Sequence, residues 1–141
     1  MRHEQRSIQQ LLNDITIRAQ PAPVALTGGA NTVSAAGIIN GLITVNGGTA
    51  GAVTSTLVTA ALLDTALSAL WGTNFPVDYS VDFSLVNIST VAIEDATVTT
   101  ATGWTLVGGM IVNSNDAGTS ISTGRFRARK TANGAFTLYR L

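Results

Sequence analysis

Apolar and polar side chains alternate with a period of two along much of this chain. The clearest run is Val77, Tyr79, Val81, Phe83 and Leu85, interleaved with Asp78, Ser80, Asp82 and Ser84. Successive side chains of a strand point to opposite faces, so the run predicts a half-buried strand of antiparallel type. Residues 92–100 and 105–112 continue as strands, interrupted by Gly103, Gly108–Gly109 and the polar stretch 113–118. The chain closes with a hairpin. Arg125, Arg127 and Arg129 alternate with Phe126 and Ala128, Asn133-Gly134 supplies a turn that tolerates positive φ, and residues 136–141 return.

Two segments carry a helical period instead. In residues 59–70, Thr59 is an N-cap, Leu62, Leu63, Ala66, Leu67 and Leu70 form one apolar face, and Gly72 and Asn74 end the helix. Near the N-terminus, Ser7 and Gln10 fit a capping box, and Ile8, Leu11, Leu12 and Ile15 recur at helical spacing. A helix of two or three turns is not stable alone, so this one must lie on its own domain or on a neighbour. Pro21 and Pro23 separate it from the rest of the chain. Residues 34–43 hold a short helix weakened by Gly37 and Gly41, and residues 42–45 and 52–57 read as short strands around a Gly-rich loop. Many short strands with Gly-rich turns predict a mainly β protein, an antiparallel β-sandwich or jelly roll with one or two short helices. Residues 1–23 form an N-terminal docking arm and residues 24–141 the sandwich body.

Charge is scarce and unevenly placed. Charged residues make up 11% of the 141, against roughly a quarter in a typical soluble domain, and the net charge is zero. That balance offers no footprint for nucleic acid, and so sparse a charged surface fits either one that another protein covers or a Thr-rich surface that faces water. From Ala19 to Gly124 there is no Lys or Arg, while Asp64, Asp78, Asp82, Glu94, Asp95 and Asp116 lie there; the basic residues sit at the two ends. Such segregation fits pairing across subunit boundaries or steering onto a charged partner, and equally two solvated faces of one sandwich. No apolar stretch is long enough to span a bilayer, and MRHEQRSIQQ is no secretory signal, so the chain is expected to be made in a cytoplasm.

Candidate chemistry is thin. There is no cysteine, and the only histidine is His3 in the arm, which leaves nucleophilic and metal sites without a foundation. Asp78 and Asp82 share a strand face but stand about 13 Å apart, too far for one ion. Glu94 and Asp95 point to opposite faces of a strand. Asn113 to Gly118 lacks the closing Glu of a calcium loop and reads as a turn. Asn87-Ile88-Ser89 matches a glycosylation acceptor by pattern only. The expectation is no enzyme, no cofactor and no metal. The candidate contact residues are Ile8, Leu11, Leu12 and Ile15 of the arm and the row Arg125, Arg127 and Arg129, placed to meet acidic residues of a neighbour.

The order of segments resembles a group of small virion structural proteins of tailed bacteriophages, including marine and cyanobacterial phages. The segments are Ala36-Gly37-Ile38-Ile39-Asn40-Gly41, Thr56-Leu57-Val58-Thr59-Ala60-Ala61-Leu62-Leu63, Val81-Asp82-Phe83-Ser84-Leu85-Val86-Asn87, Gly103-Trp104-Thr105-Leu106-Val107-Gly108 and Phe136-Thr137-Leu138-Tyr139-Arg140-Leu141. The similarity runs from Leu26 to the C-terminus and leaves out the arm. It implies a capsid decoration (cement) protein on the outer capsid surface of the virion, a homotrimer whose partner is the major capsid protein. A low-copy head-fibre, tail or baseplate protein is the alternative within the virion. A carbohydrate-binding module is a third, and it needs Trp71, Trp104 or Tyr139 exposed as a stacking platform.

Overall fold

The computed structural model describes residues 19–116 and 121–141. The arm helix expected around Ile8, Leu11, Leu12 and Ile15 lies outside the described residues. In chain order the elements are β1 (Val24–Thr27), β2 (Ala30–Val33), α1 (Ala35–Asn40), β3 (Leu42–Asn46), β4 (Val53–Leu57), α2 (Ala60–Trp71), β5 (Ser80–Asn87), β6 (Ala96–Thr100), β7 (Trp104–Val107), β8 (Ile111–Val112), β9 (Thr123–Ala132) and β10 (Ala135–Arg140). They form a six-stranded sheet in the order β1-β3-β5-β9-β10-β7 and a four-stranded sheet in the order β2-β4-β6-β8.

The mainly β expectation holds, but the strands are not all antiparallel. β1, β3 and β5 run parallel to one another, and so do β2, β4 and β6. The first half of the chain is therefore a coil of three rungs. Each rung lays one strand in the large sheet, turns, and lays one in the small sheet. Parallel strands need a crossover connection, and α1 and α2 are the crossovers that carry the chain from the first rung to the second and from the second to the third. Antiparallel pairing is confined to β5–β9, β9–β10 and β6–β8, and β7 returns parallel to β10. This corrects the antiparallel pairing read from the sequence: both sheets are mixed. Period-two alternation reports which face of a strand is buried and is silent about the direction of its partner.

Local chemistry explains where the elements begin and end. Ser34 caps α1 by accepting the Gly37 N–H (3.0 Å), and the Thr59 hydroxyl accepts that of Leu62 at the start of α2 (3.3 Å). Each helix stops on a glycine in the left-handed region, Gly41 and Gly72. Gly41 thus terminates α1 rather than weakening it. On α2 the buried side is Ala60, Leu63 and Leu67, while Leu62 and Leu70 face out. The apolar stripe is wider than the core it meets. β5 begins later than the alternation suggests, because Asp78 adopts φ +73° and breaks the extended run. Val77 and Tyr79 are consequently exposed, and Phe83 and Leu85 hold the inward positions.

Inward side chains of both sheets and of α2 make one core, centred on Ile43, Leu57, Leu63, Leu85, Phe126 and Leu138. One inward position on β9 belongs to Lys130, which is 1% exposed. Its ammonium donates to Asp64 Oδ1 on α2 (2.7 Å) and to the Phe75 carbonyl (2.6 Å), while Asp64 Oδ2 accepts the Gly134 N–H of the hairpin turn (2.8 Å). Burial pushes the Asp64 carboxyl up. The hydrogen bonds from Lys130 and Gly134, with the Lys130 charge and the Ser68 hydroxyl, outweigh that effect and hold it below its ordinary range. This clamp fastens the crossover helix to the closing hairpin.

Candidate interaction surfaces

The arginine row lies where alternation places it, on the outer face of β9, but its partners are in its own chain. β5 pairs with β9 so that Asp82 faces Arg127 and Ser80 faces Arg129. Arg127 grips Asp82 through two hydrogen bonds, from Nε (2.7 Å) and Nη2 (2.8 Å). Arg129 pairs with Asp78, which the positive-φ turn brings alongside. The Arg127 hydrogen bonds hold the Asp82 carboxyl below its ordinary range and raise Arg127 in return. The expected pairing across subunits is thus met internally for two of the three arginines. Within the row, Arg125 has no ion pair among the described residues.

The most constructed surface is the end of the coil where the chain crosses from the large sheet to the small one. Three crossings stack there, at residues 28–29, 47–52 and 88–95, and the Gly28 N–H binds the Gly47 carbonyl between the first two. The third is knotted around Glu94, a carboxylate only 1% exposed. Its Oε1 accepts the N–H groups of Thr49 (2.8 Å) and Ala50 (2.7 Å) from the second crossing, and its Oε2 accepts the Ser89 hydroxyl. The Ser89 hydrogen bond, followed by those from backbone N–H groups, holds the Glu94 carboxyl below its ordinary range. The buried Asn87 amide donates to the carbonyls of Glu94 (2.8 Å) and Val112 (3.2 Å), and its oxygen accepts the Ser89 N–H (3.1 Å). Asp95 accepts the Ser114 N–H (2.8 Å), and the Ser122 carbonyl accepts the Asn87 N–H, so the segments flanking residues 117–120 join the same end.

Over this polar knot the chain presents Ile88, Val91 and Ile93, with Ile121 beside them, all exposed; Ile121 is 75% exposed. Apolar residues in a loop normally turn inward. Here the inward places are taken by Asn87, Ser89 and Glu94, so the apolar ones face water. The sequence reading missed this arrangement: Glu94 precedes β6 instead of lying in it, and Asn87 and Ser89 are structural groups. The legible signal was the spacing of polar Asn87, Ser89 and Glu94 against apolar Ile88, Val91 and Ile93.

Three further features bear on function. Leu106 and Val107 on β7, an edge of the large sheet, and Ile111 on β8, an edge of the small one, are exposed. Trp71 and Tyr79, both about half exposed, meet edge to face with ring centroids 5.2 Å apart. Trp104, by contrast, is partly buried against Phe136 and donates its indole N–H to the Val58 carbonyl (2.8 Å). Ala19 and Pro21 join α1 and α2 in lining an apolar groove. Among the described residues no group of three or more His, Asp or Glu side chains is placed to hold a metal ion, and no helix is long and apolar enough to cross a membrane. Comparison with protein-family models, with curated proteins and with solved structures found no match.

Proposed function

We propose that this chain is a virion structural protein of a bacteriophage, a capsid decoration protein whose apolar end docks on the shell and whose sheet edges meet neighbouring copies. The observation that carries this reading is the end of the coil at Ile88, Val91, Ile93 and Ile121. Exposed apolar side chains are costly unless a partner covers them, and here a buried carboxylate knot holds them in place. A contact whose backbone is already fixed loses little conformational entropy on binding. The mechanism is mechanical: many copies bury surface that the bare shell leaves in water, so rupture must break more contacts. Leu106, Val107 and Ile111 suit the contact between copies in a homotrimer.

The test is the number of copies per purified particle, by quantitative mass spectrometry against the major capsid protein. Hundreds of copies in a simple ratio to the capsid protein support decoration. A handful moves the protein to a fibre, tail or baseplate, and absence from the particle ends the structural reading. A second reading, a carbohydrate-binding virion module, has one observation in its favour, the half-exposed Trp71 and Tyr79 pair. A glycan array without hits removes it.

A further inference from the structure

The first described residues run along the body instead of leaving it. Gln20 donates through Nε2 to Asn40 Oδ1 (2.8 Å) and to the Asn40 carbonyl (3.1 Å), and Asn40 Nδ2 donates to the Ala22 carbonyl (3.0 Å). Pro21 and Pro23 lack N–H groups and join no ladder, which leaves this stretch to be held by side chains. The chain is thereby fastened at the C-terminal end of α1, one residue before Gly41. Gln20 and Ala22, which the sequence reading placed in the arm, are thus held against the body.

Ala19 and Pro21 themselves form one wall of the apolar groove. Its other walls are Ala36 and Ile39 on α1 and Ala66, Ala69 and Leu70 on α2. The groove holds about 640 Å³, and Leu70 on its rim is 70% exposed. Its walls carry small side chains, the residues that let another helix approach closely. Immediately upstream lies an apolar face at helical spacing: Ile8, Leu11, Leu12 and Ile15. Ile15 is four residues from Ala19, so it is within about 6 Å along a helix and cannot be farther than about 14 Å even when extended. A segment tethered this closely meets its own groove at an effective concentration in the millimolar range.

We propose that Ile8, Leu11, Leu12 and Ile15 pack into the α1–α2 groove of their own chain, covering Ile39 and Leu70. The arm is then the third helix of a small helical layer on the crossover side, opposite the apolar end formed by residues 88–93. The inference concerns the free chain and does not depend on the capsid reading. Any partner that takes the arm has to compete with the groove.

The chain contains no cysteine, so disulfide closure tests this directly in the full-length protein. Single cysteines at polar arm positions, Gln9→Cys, Gln10→Cys, Asn13→Cys and Asp14→Cys, are each combined with Thr65→Cys on exposed α2. Rapid closure to an intramolecular disulfide, seen as a monomer of altered mobility, is expected for at least one pair. With Leu11→Ser and Leu12→Ser added, closure should slow by roughly tenfold or more, since the apolar surface that holds the arm is removed. Closure unchanged by those two substitutions shows a tether without docking and overturns the proposal. Disulfide-linked dimers in place of monomers assign the groove to the arm of a second copy, and no closure from any position assigns it to neither; both overturn it.

Discussion

Lys130 occupies a core position that alternation would give to an aliphatic residue, and it is tolerated because every polar atom around it is engaged. Its ammonium has Asp64 and the Phe75 carbonyl, and Asp64 has Gly134 in turn. Removing one member leaves the other buried without a counter-charge, whereas removing both leaves an apolar site. Lys130→Met is therefore expected to cost about 3–5 kcal/mol, and Lys130→Met with Asp64→Leu to recover most of it. Urea unfolding of the two variants measures both values. The carboxylates yield a second expectation. Asp64, Asp82 and Glu94 are all held below their ordinary values, 3.8 for the two aspartates and 4.5 for the glutamate. The unfolded chain therefore binds protons more readily than the folded one as pH falls. Their stabilisation is complete above the unfolded values and is lost as pH falls through the folded ones. The urea midpoint should stay level from pH 7 to about pH 5 and drop below about pH 4. Glu94→Gln, whose amide cannot accept all three donors, should lower the midpoint at pH 7 and make the acid limb shallower.

The elements show which parts of the architecture a sequence can express. The β9–β10 hairpin was legible because Asn133-Gly134 and the strict alternation of Arg with Phe and Ala are local signals. The caps of α2 were legible for the same reason. The parallel coil was not, since its partners lie far apart in the chain and the helices between them are the only trace of the crossover. The arginine row illustrates the limit well. Its face was readable from β9 alone, but its neutralisation depends on the β5–β9 register and on a positive φ at Asp78. Gly103 belongs to the same class of long-range requirement. It lies at φ +96°, and a Cβ there would sit 2.7 Å from the Gly134 carbonyl oxygen and 2.8 Å from Ala60 Cβ. This is where the turn into β7 passes between the hairpin turn and the start of α2. Gly103→Ala should cost about 2 kcal/mol or more, from the left-handed backbone and from overpacking. Thermal unfolding reads the loss, and far-UV circular dichroism should stay unchanged if the turn alone is strained.

At the scale of the whole molecule, the balance of buried and exposed apolar surface is what asks for partners. Thirteen large hydrophobic side chains among the described residues are exposed, including Ile88, Ile93, Leu106, Ile111 and Ile121. They are not spread evenly; they gather at the end of the coil, along the β7 and β8 edges, and around α2 and Trp71. Exposed sheet edges with apolar side chains favour pairing with other chains unless something blocks them. The β7 and β8 edges carry no Lys or Arg of their own. The two surfaces make separable expectations. The proposed trimer contact predicts that the parent sediments as a trimer and that Leu106→Lys with Ile111→Lys sediments near the 14.5 kDa chain mass. Ile88→Ser with Ile93→Ser should leave self-association and the urea midpoint unchanged, because both side chains already face water and the Glu94 knot beneath them is untouched. Its effect should appear only when the protein is mixed with particles lacking it, as a loss of binding in co-sedimentation. Binding retained by that variant would move the docking surface away from the apolar end, and binding lost together with the trimer would show that one surface serves both contacts.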